Sequence, residues 1–504
     1  MQDAVVAHLF PKVQEEFLRN LREQPIIRVA SVDWIEAVVR RVLKSLGQAM
    51  LDAWTMGLES VAREVGSLCP ACEKTRKCKK RLKNPMKIRL LGFFVNVPKL
   101  YFECGRCGAP GLSVTKLLTG LCDGGTSSEL KLSAAYLAAE HSYGKASRDL
   151  DVHHGQTIDR THVRRMALEV EQEAMVFAET ERRRTLSVAG NEGLPEGVEL
   201  LMLQGDGGSV RTGKLVPCEP GDSGFGKTTP NSGRPRRKRM SQNREVITLD
   251  IRQPGQSTSI GLDVVVPCQS QDGERARRML SLALRQGLGQ KTQMIGLGDM
   301  GSSLPAAFEE AFVGQEFSFY STDWKHICDY VRAASTVLEG VELKRWRKQM
   351  RDAIWKRNVR RRDELLNQAY ECRVDSLPAH LAKCPLDALA TYLSNNWQYM
   401  QAARLKELGL DYVSARAEAQ VRERTKSRFC VAGAWREENL EPKATLRSII
   451  AEGRWGCFRE HYLNSQSTQF RRDLQERLDD ARGQKRVVLT TTGTPIDESQ
   501  DKAA

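Results

Sequence analysis

Three carboxylates in this chain stand in contexts suited to holding divalent cations. Asp206 lies in Leu201-Met202-Leu203-Gln204-Gly205-Asp206-Gly207-Gly208, and Asp299 in Met294-Ile295-Gly296-Leu297-Gly298-Asp299-Met300-Gly301. Each is an apolar run that meets glycines, the pattern of a short buried strand whose last residue is an acid released into a turn. Glu418 follows on a charged helical stretch. Two acids at strand ends and a third from a later helix can hold two divalent cations against a phosphodiester, the arrangement of a metal-dependent nuclease. Mg²⁺ (or Mn²⁺) suits such a site because hard oxygen ligands match it. Asp before Gly is also ordinary turn chemistry, so one such acid alone would carry little weight.

A second constellation is built from thiols. Cys69-Pro70-Ala71-Cys72 and Cys104-Gly105-Arg106-Cys107-Gly108 form two Cys-x-x-Cys knuckles separated by 31 residues. Between them lie two strand-like runs, Lys87 to Phe94 and Val95 to Phe102. Paired knuckles around a hairpin have the layout of a zinc ribbon, with Cys69, Cys72, Cys104 and Cys107 supplying four thiolates to a structural Zn²⁺. Cys78 and Cys122 lack partners at ligand spacing. The chain has 13 cysteines, an odd number without disulfide-framework spacing, which fits a reducing compartment.

These groups need elements to position them. Residues 1–66 carry helical periodicity in Val13, Phe17, Leu18 and Leu21 and again in Ile35, Val38, Val39, Val42, Leu43 and Leu46, giving either a scaffold or a dimerisation face. Residues 67–125 form the ribbon. Residues 126–180 read as a helix-turn-helix: Ser128 caps a helix to about Glu140, a short helix runs from Tyr143 to Leu150, Asp151 to Gly155 turns, and Thr157 caps a third helix through about Glu173. Arg160, His162, Arg164 and Arg165 lie on that helix, either reaching DNA or forming a solvated basic face. Residues 198–325 alternate strands and helices. A Gly/Pro/Ser-rich loop from Gly221 to Asn243 carries Arg236, Arg237, Lys238 and Arg239, placed to meet phosphates or simply solvated. Strands Glu245 to Ile251 and Ile260 to Val266 follow. A helical stretch spans about 324–412, with Trp346 and Trp355 among many cations, either gripping DNA or anchoring a core. Residues 413–465 hold Glu418, and 484–504 form a polar tail.

Length suggests several domains, and 40% hydrophobic residues are enough for real cores. The 77 Lys and Arg against 63 Asp and Glu give a net charge of +14 and a pI near 9.2, which points to a polyanion, with double-stranded DNA first. No apolar run approaches a membrane span, and Met1-Gln2-Asp3-Ala4 opens no secretory signal; a cytoplasmic, nucleoid-associated protein is expected. Missing runs of aromatics argue against single-strand RNA binding.

In this order the features resemble a bacterial insertion-sequence transposase, most of all the ISKra group within the Mutator-like DDE class. The resemblance covers roughly residues 60–465. It rests on the knuckle hairpin Cys69 to Cys107, on Ser142-Tyr143-x-x-Ala146 to Val163, on Asp206-Gly207 with Arg244-Glu245-Val246, and on Gly298-Asp299 with Asp323-Trp324-Lys325-His326. It implies a multidomain protein: a helical N-terminal region, a zinc ribbon, a helix-turn-helix, and an RNase H-like α/β core interrupted by an all-helical insertion. Asp206, Asp299 and Glu418 carry over as the catalytic, magnesium-binding acids, with Asp323 and His326 in support. His326 either meets a scissile phosphate, supports Asp323, or is a satisfied core histidine. The chain departs from the group before Glu418, where Val413-Ser414-Ala415-Arg416-Ala417 stands in place of a glycine-bearing approach. Glu423 is the alternative third acid, with Lys426 and Arg428 after it as a basic pair. The implied activity is cleavage of transposon ends and their joining to target DNA, by a homodimer or larger assembly. A catalytically degenerate, transposase-derived DNA-binding regulator is the alternative, and a nuclease that cuts without joining would use the same acids.

Overall fold

The computed structural model describes residues 32–69, 72–81, 86–97, 100–107, 112–113, 125–229, 233–255, 261–265, 273–300, 304–315, 317–339, 342–373, 384–430 and 435–469, with Glu15, Arg19 and Arg472. The expected helical residues before 32 and the polar tail at 484–504 lie outside them. The protein is multidomain and mixed. It divides into two compact units, Met1–Val170 with Arg459–Ala504, and Glu171–Phe458. No helix among the described residues is long and apolar enough to cross a membrane.

The first unit opens with helix α1 (Val32–Ser67). Its glycines admit aromatic rings: a Cβ on Gly47 would meet Phe93, and one on Gly66 would meet Phe102, both under 3.0 Å. The two strands expected between the knuckles are four. Strands β2 (Met86–Leu90) and β3 (Phe93–Val97) pair antiparallel, Leu90 opposite Phe93, so Leu91 and Gly92 make a two-residue turn. Gly92 has φ 81°, the positive value that a type II turn requires at its second central position. Ile88, Val95 and Val97 form its buried face, with Leu51 of α1 packed on it. Strand β4 (Leu100–Glu103) instead joins β1 (Lys77–Arg81) and β5 (Leu112–Ser113) in a separate sheet of order β1-β4-β5.

Three helices follow, with boundaries that differ from the sequence pattern. Helix α2 (Ser128–Glu140) is capped by Ser127, not Ser128: the Ser127 hydroxyl accepts from Leu130 N. Helix α3 (Tyr143–His154) runs through the expected turn to Gly155, whose φ of 61° closes it in the left-handed conformation glycine favours. Helix α4 (Arg160–Glu192) starts at Asp159, whose carboxylate accepts from Thr161 N and His162 N. Thr157 does not cap it; its hydroxyl donates to Asp151.

The second unit is built on a five-stranded mixed sheet of order β10-β9-β6-β7-β8. Its members are β6 (Leu200–Pro217), β7 (Arg237–Arg252), β8 (Gly261–Val265), β9 (Gln293–Gly298) and β10 (Phe319–Thr322). Strands β6, β7 and β8 run antiparallel in sequence, while β9 and β10 lie parallel to β6 and to each other. One face buries Leu201, Leu203, Ile247 and Leu249 against helices α5 (Glu274–Arg285) and α6 (Leu304–Ala311). Met202, Ile295 and Leu297 pack with Leu405 and Leu410 in a second cluster. The stretch expected to be helical from 324 is α7 (Trp324–Ala334), α8 (Leu343–Trp355), α9 (Val359–Glu371), α10 (Pro385–Asn396) and α11 (Ala402–Glu407). Helices α7 to α10 share one apolar core that includes Trp346 and Met350. Trp346 is 1% exposed and donates its indole N–H to Leu365 O, so it anchors a core. Trp355 is half-buried, edge-to-face with Trp324 and Tyr412.

Two expectations about β6 and β7 need correction. Asp206 does not end a strand, for β6 continues eleven residues beyond it to Pro217. The segment from Gly221 to Asn243 is not all loop, because β7 begins at Arg237 and pairs with β6 as far as Pro217↔Arg237. Period-two alternation in Ser209–Val216 is masked by Gly207, Gly208 and Gly213, which read as turn residues when taken alone.

Candidate metal centres

The thiol site lies in the first unit. Cys69 and Cys104 are buried, Cys72 and Cys107 half-buried. The four Sγ atoms lie within 4.8 Å of one another, with Cys69–Cys107 and Cys72–Cys104 each at 3.6 Å. Tetrahedral zinc with Zn–S of about 2.3 Å sets sulfurs about 3.8 Å apart, so these four fit the ion. Backbone N–H groups of Cys107 and Arg106 point at Cys104 and pull its thiol down to about 6, favouring the thiolate a metal needs. The buried Arg76 guanidinium sits 3.7 Å from Cys69 Sγ and adds positive charge beside the cluster. This cluster of four cysteines could bind a structural metal such as zinc.

The acid site is set by register. Gly205 of β6 is the parallel partner of Gly298 of β9, and an aspartate follows each. Asp206 within β6 and Asp299, just past the end of β9, therefore follow the last residues that these neighbouring strands pair with each other. Gly298 makes this approach possible: a Cβ there would lie 2.3 Å from Gly205 O, a backbone atom that cannot step aside. Each aspartate accepts from the next backbone N–H, Asp206 from Gly207 at 2.8 Å and Asp299 from Met300 at 2.6 Å. Burial raises the Asp206 carboxyl above the usual range; the Gly207 N–H and the charge of His326 lower it, Glu418 raises it, and Lys426 lowers it. His326, Glu418 and Lys426 thus all lie within electrostatic reach of Asp206.

Glu418 sits on the short helix α12 (Ala415–Gln420), which passes into a π-helical turn, Val421–Lys426. A π turn inside a helix is a common mark of a functional segment. Glu418 does not approach the aspartates as a bare carboxylate: both its oxygens accept from Lys325 Nζ, at 2.6 and 2.9 Å. Among the described residues only the cysteines bring three or more ligand atoms within 4.8 Å of one another. Glu418 is engaged by Lys325 and not by the aspartates. Glu423 is exposed on the π turn, where its carbonyl accepts from Arg447. Arg428, expected in a basic pair with Lys426, is buried with its guanidinium over the Trp435 ring, 4.7 Å from the centroid.

Asp323 is fully buried and clamps the site. Its carboxylate accepts from Lys325 N at the start of α7 and from both the backbone N–H and the hydroxyl of Ser414. Its own N–H donates to Gly298 O, and Trp324 N donates to Tyr412 O. One residue thus ties the end of β9, just before Asp299, to the segment leading into Glu418. Ser414, in the stretch that stands in place of a glycine-bearing approach, is thereby anchored to Asp323. His326 Nδ1 lies 3.9 Å from Asp323 Oδ2, outside hydrogen-bond range, and that buried nitrogen has no protein partner.

Three further residues near the acids escaped the sequence reading as functional groups. Lys325 stands inside the quoted Asp-Trp-Lys-His run, but its partner is 93 residues away, which no local pattern reveals. Glu245 belongs to the Arg-Glu-Val run; a Cβ on Gly207 would lie 2.6 Å from its Oε1. Although Glu245 is exposed overall, partial burial raises its carboxyl, Arg275 lowers it, and Asp299 and Asp206 raise it further. The Tyr320 hydroxyl is buried without a partner, 2.6 Å from where a Gly298 Cβ would be.

The candidate DNA contacts divide by surroundings. Arg160 and Arg165 are exposed on α4 and Arg164 is half-buried, while Arg165 reaches His162 Nδ1 at 2.7 Å. Burial, then the charges of Arg165 and Arg89, lowers the His162 imidazole, so it accepts there as the neutral ring. Arg236 and Arg237 are exposed on the β6–β7 hairpin; Lys238 is instead tied to Glu219 and Asp222, and the side chain of Arg239 lies outside the description. No protein-family model matches this chain, and no curated protein is detectably similar to it.

Proposed function

We propose that this chain is a DNA transposase of the DDE class, similar in design to the ISKra group, with an RNase H-like core. The observation that carries the reading is the register Gly205↔Gly298 between parallel strands, which Asp206 and Asp299 directly follow, with Glu418 in reach of Asp206. A mixed sheet of antiparallel β6-β7-β8 extended by parallel β9 and β10 supports the RNase H-like assignment. Asp206 and Asp299 would hold Mg²⁺ or Mn²⁺, with Glu418 as third ligand once released by Lys325. Bound there, the ions would supply Lewis-acid stabilisation of a phosphodiester under in-line attack. The chain's own residues orient the reaction: Asp323 fixes the spacing between Asp299 and the Glu418 helix, and His326 stands within electrostatic reach of Asp206. The three-helix segment, with Arg160 and Arg164 on α4, would bind the element's ends as a helix-turn-helix beside the zinc ribbon, in the cytoplasm. Joining two ends calls for a homodimer or larger assembly; one chain holding both ends would contradict that.

The test is Mg²⁺-dependent cleavage and joining of DNA that carries the element's own ends. Wild type should yield joined products, and Asp206→Ala and Asp299→Ala should abolish both steps. Free ends without joining would mean a nuclease. A DNA-binding regulator is the second reading, favoured by the Lys325–Glu418 pair that occupies the third carboxylate. Binding without cleavage by wild type would establish it.

A further inference from the structure

The hairpin of β6 and β7 outruns the sheet. β9 ends its pairing at Gly205 and β8 covers only Ile247–Ile251 of β7, so from Gly207 to Pro217 the two strands pair chiefly with each other. The one further backbone bridge there, among the described residues, is Thr212↔Trp435. Eleven residues at about 3.3 Å each make an arm about 35 Å long. Side chains alternate along it. One face is occupied: Val210 packs with Trp435, Gln242 and Arg244 bind Glu437, and Lys238 binds Glu219 and Asp222. The opposite face presents Ser209, Arg211 and Leu215 from β6 and Arg237, Ser241, Asn243 and, at its base, Glu245 from β7, all exposed.

Charge selects the partner. Residues 207–245 contain nine Lys and Arg against three acids, Glu219, Asp222 and Glu245, the last at the base of the arm opposite Ser209. Glu219 and Asp222 bind Lys238, and Arg211 and Arg237 have no ion pair among the described residues. The face therefore combines uncompensated guanidinium groups with short amide and hydroxyl side chains that both donate and accept, the set that reads phosphates and base edges together. A two-stranded ribbon with strands about 4.8 Å apart fits the major groove, about 12 Å wide, and not the minor groove, about 6 Å wide. We propose that this arm is a second DNA-binding element, separate from the three-helix segment, whose Arg211–Asn243 face enters the major groove of duplex DNA. The proposal rests on the reading of DNA as substrate and adds which surface and which groove are used.

The experiment measures binding of the full, zinc-loaded chain to two mixed-sequence duplexes by fluorescence anisotropy. One duplex is plain; in the other, glucosylated 5-hydroxymethylcytosine fills the major groove. Wild type is compared with the triple variant Arg211→Gln, Arg237→Gln, Asn243→Ala, whose thermal melting checks folding. Wild type should bind plain DNA about tenfold more tightly than blocked DNA. The triple variant should bind plain DNA about tenfold more weakly than wild type, with a salt slope smaller by about two, and should lose the discrimination. Equal binding of wild type to both duplexes, or a folded variant that behaves as wild type, overturns the arm proposal alone. Failure of wild type to bind any duplex overturns it together with the DNA reading.

Discussion

The two candidate metal centres differ in how finished they are. The cysteine cluster is complete as the chain folds, its four sulfurs spaced as a tetrahedral ion requires. The proposed acid site has its two aspartates set side by side by strand register, while Glu418 is held by a lysine. A structural centre gains from closure because its binding energy is folding energy. A working centre needs ligands that can change partners, and an exposed ion pair of small net worth is a suitable resting place for one.

The largest effect should come from breaking the finished centre. Cys104→Ser should cost the protein its zinc and unfold the 69–107 region, since structural zinc contributes on the order of 10 kcal/mol. Metal analysis and limited proteolysis would read this, and retention of zinc with a resistant 69–107 segment would count against the cluster. Next is the clamp of the unfinished centre. Asp323→Ala leaves the buried Ser414 N–H and hydroxyl without their acceptor and should cost about 3 kcal/mol by chemical denaturation. A change under about 1 kcal/mol would mean the clamp is idle.

Smaller changes sharpen the contrast. Lys325→Met should alter stability by less than about 1 kcal/mol, because the pair is exposed, yet should strengthen Mn²⁺ binding several-fold by freeing Glu418. Weaker Mn²⁺ binding would show that Lys325 helps the site and does not cap it. The smallest effect concerns pH. Burial raises the folded Asp206 carboxyl above its unfolded value, so the folded state binds that proton more tightly. Stability from this group is present at low pH and is lost as pH rises through the raised value. Metal-free Asp206→Asn should accordingly melt slightly higher than wild type at neutral pH, with the difference vanishing in acid; a lower melting temperature at neutral pH would contradict the sign.

Much of this was legible in the chain because local signals carried it. Apolar runs ending in Gly-Asp announced β6 and β9, and paired Cys-x-x-Cys spacing announced the sulfur cluster. Residues that act through distant partners were not legible. The length of β6 was hidden by Gly207 and Gly208, which suit a turn, though here Gly207 makes room for Glu245. Ser127 and Asp159 cap the helices for which Ser128 and Thr157 were expected, since capping depends on backbone angles that sequence leaves open. Trp346 and Trp355 share one helix and the same cationic surroundings in sequence; only the packing shows Trp346 anchored under α9 and Trp355 half-buried between Trp324 and Tyr412.

Asp206, Asp299 and Glu418 are proposed to form one divalent-cation site. Titration of Mn²⁺ into the zinc-loaded protein, followed by calorimetry, tests it most directly. Asp206→Asn and Asp299→Asn should each abolish binding, and Glu418→Gln should weaken it about tenfold or more. Unchanged Mn²⁺ binding in either aspartate variant would show that the two acids do not hold a metal together.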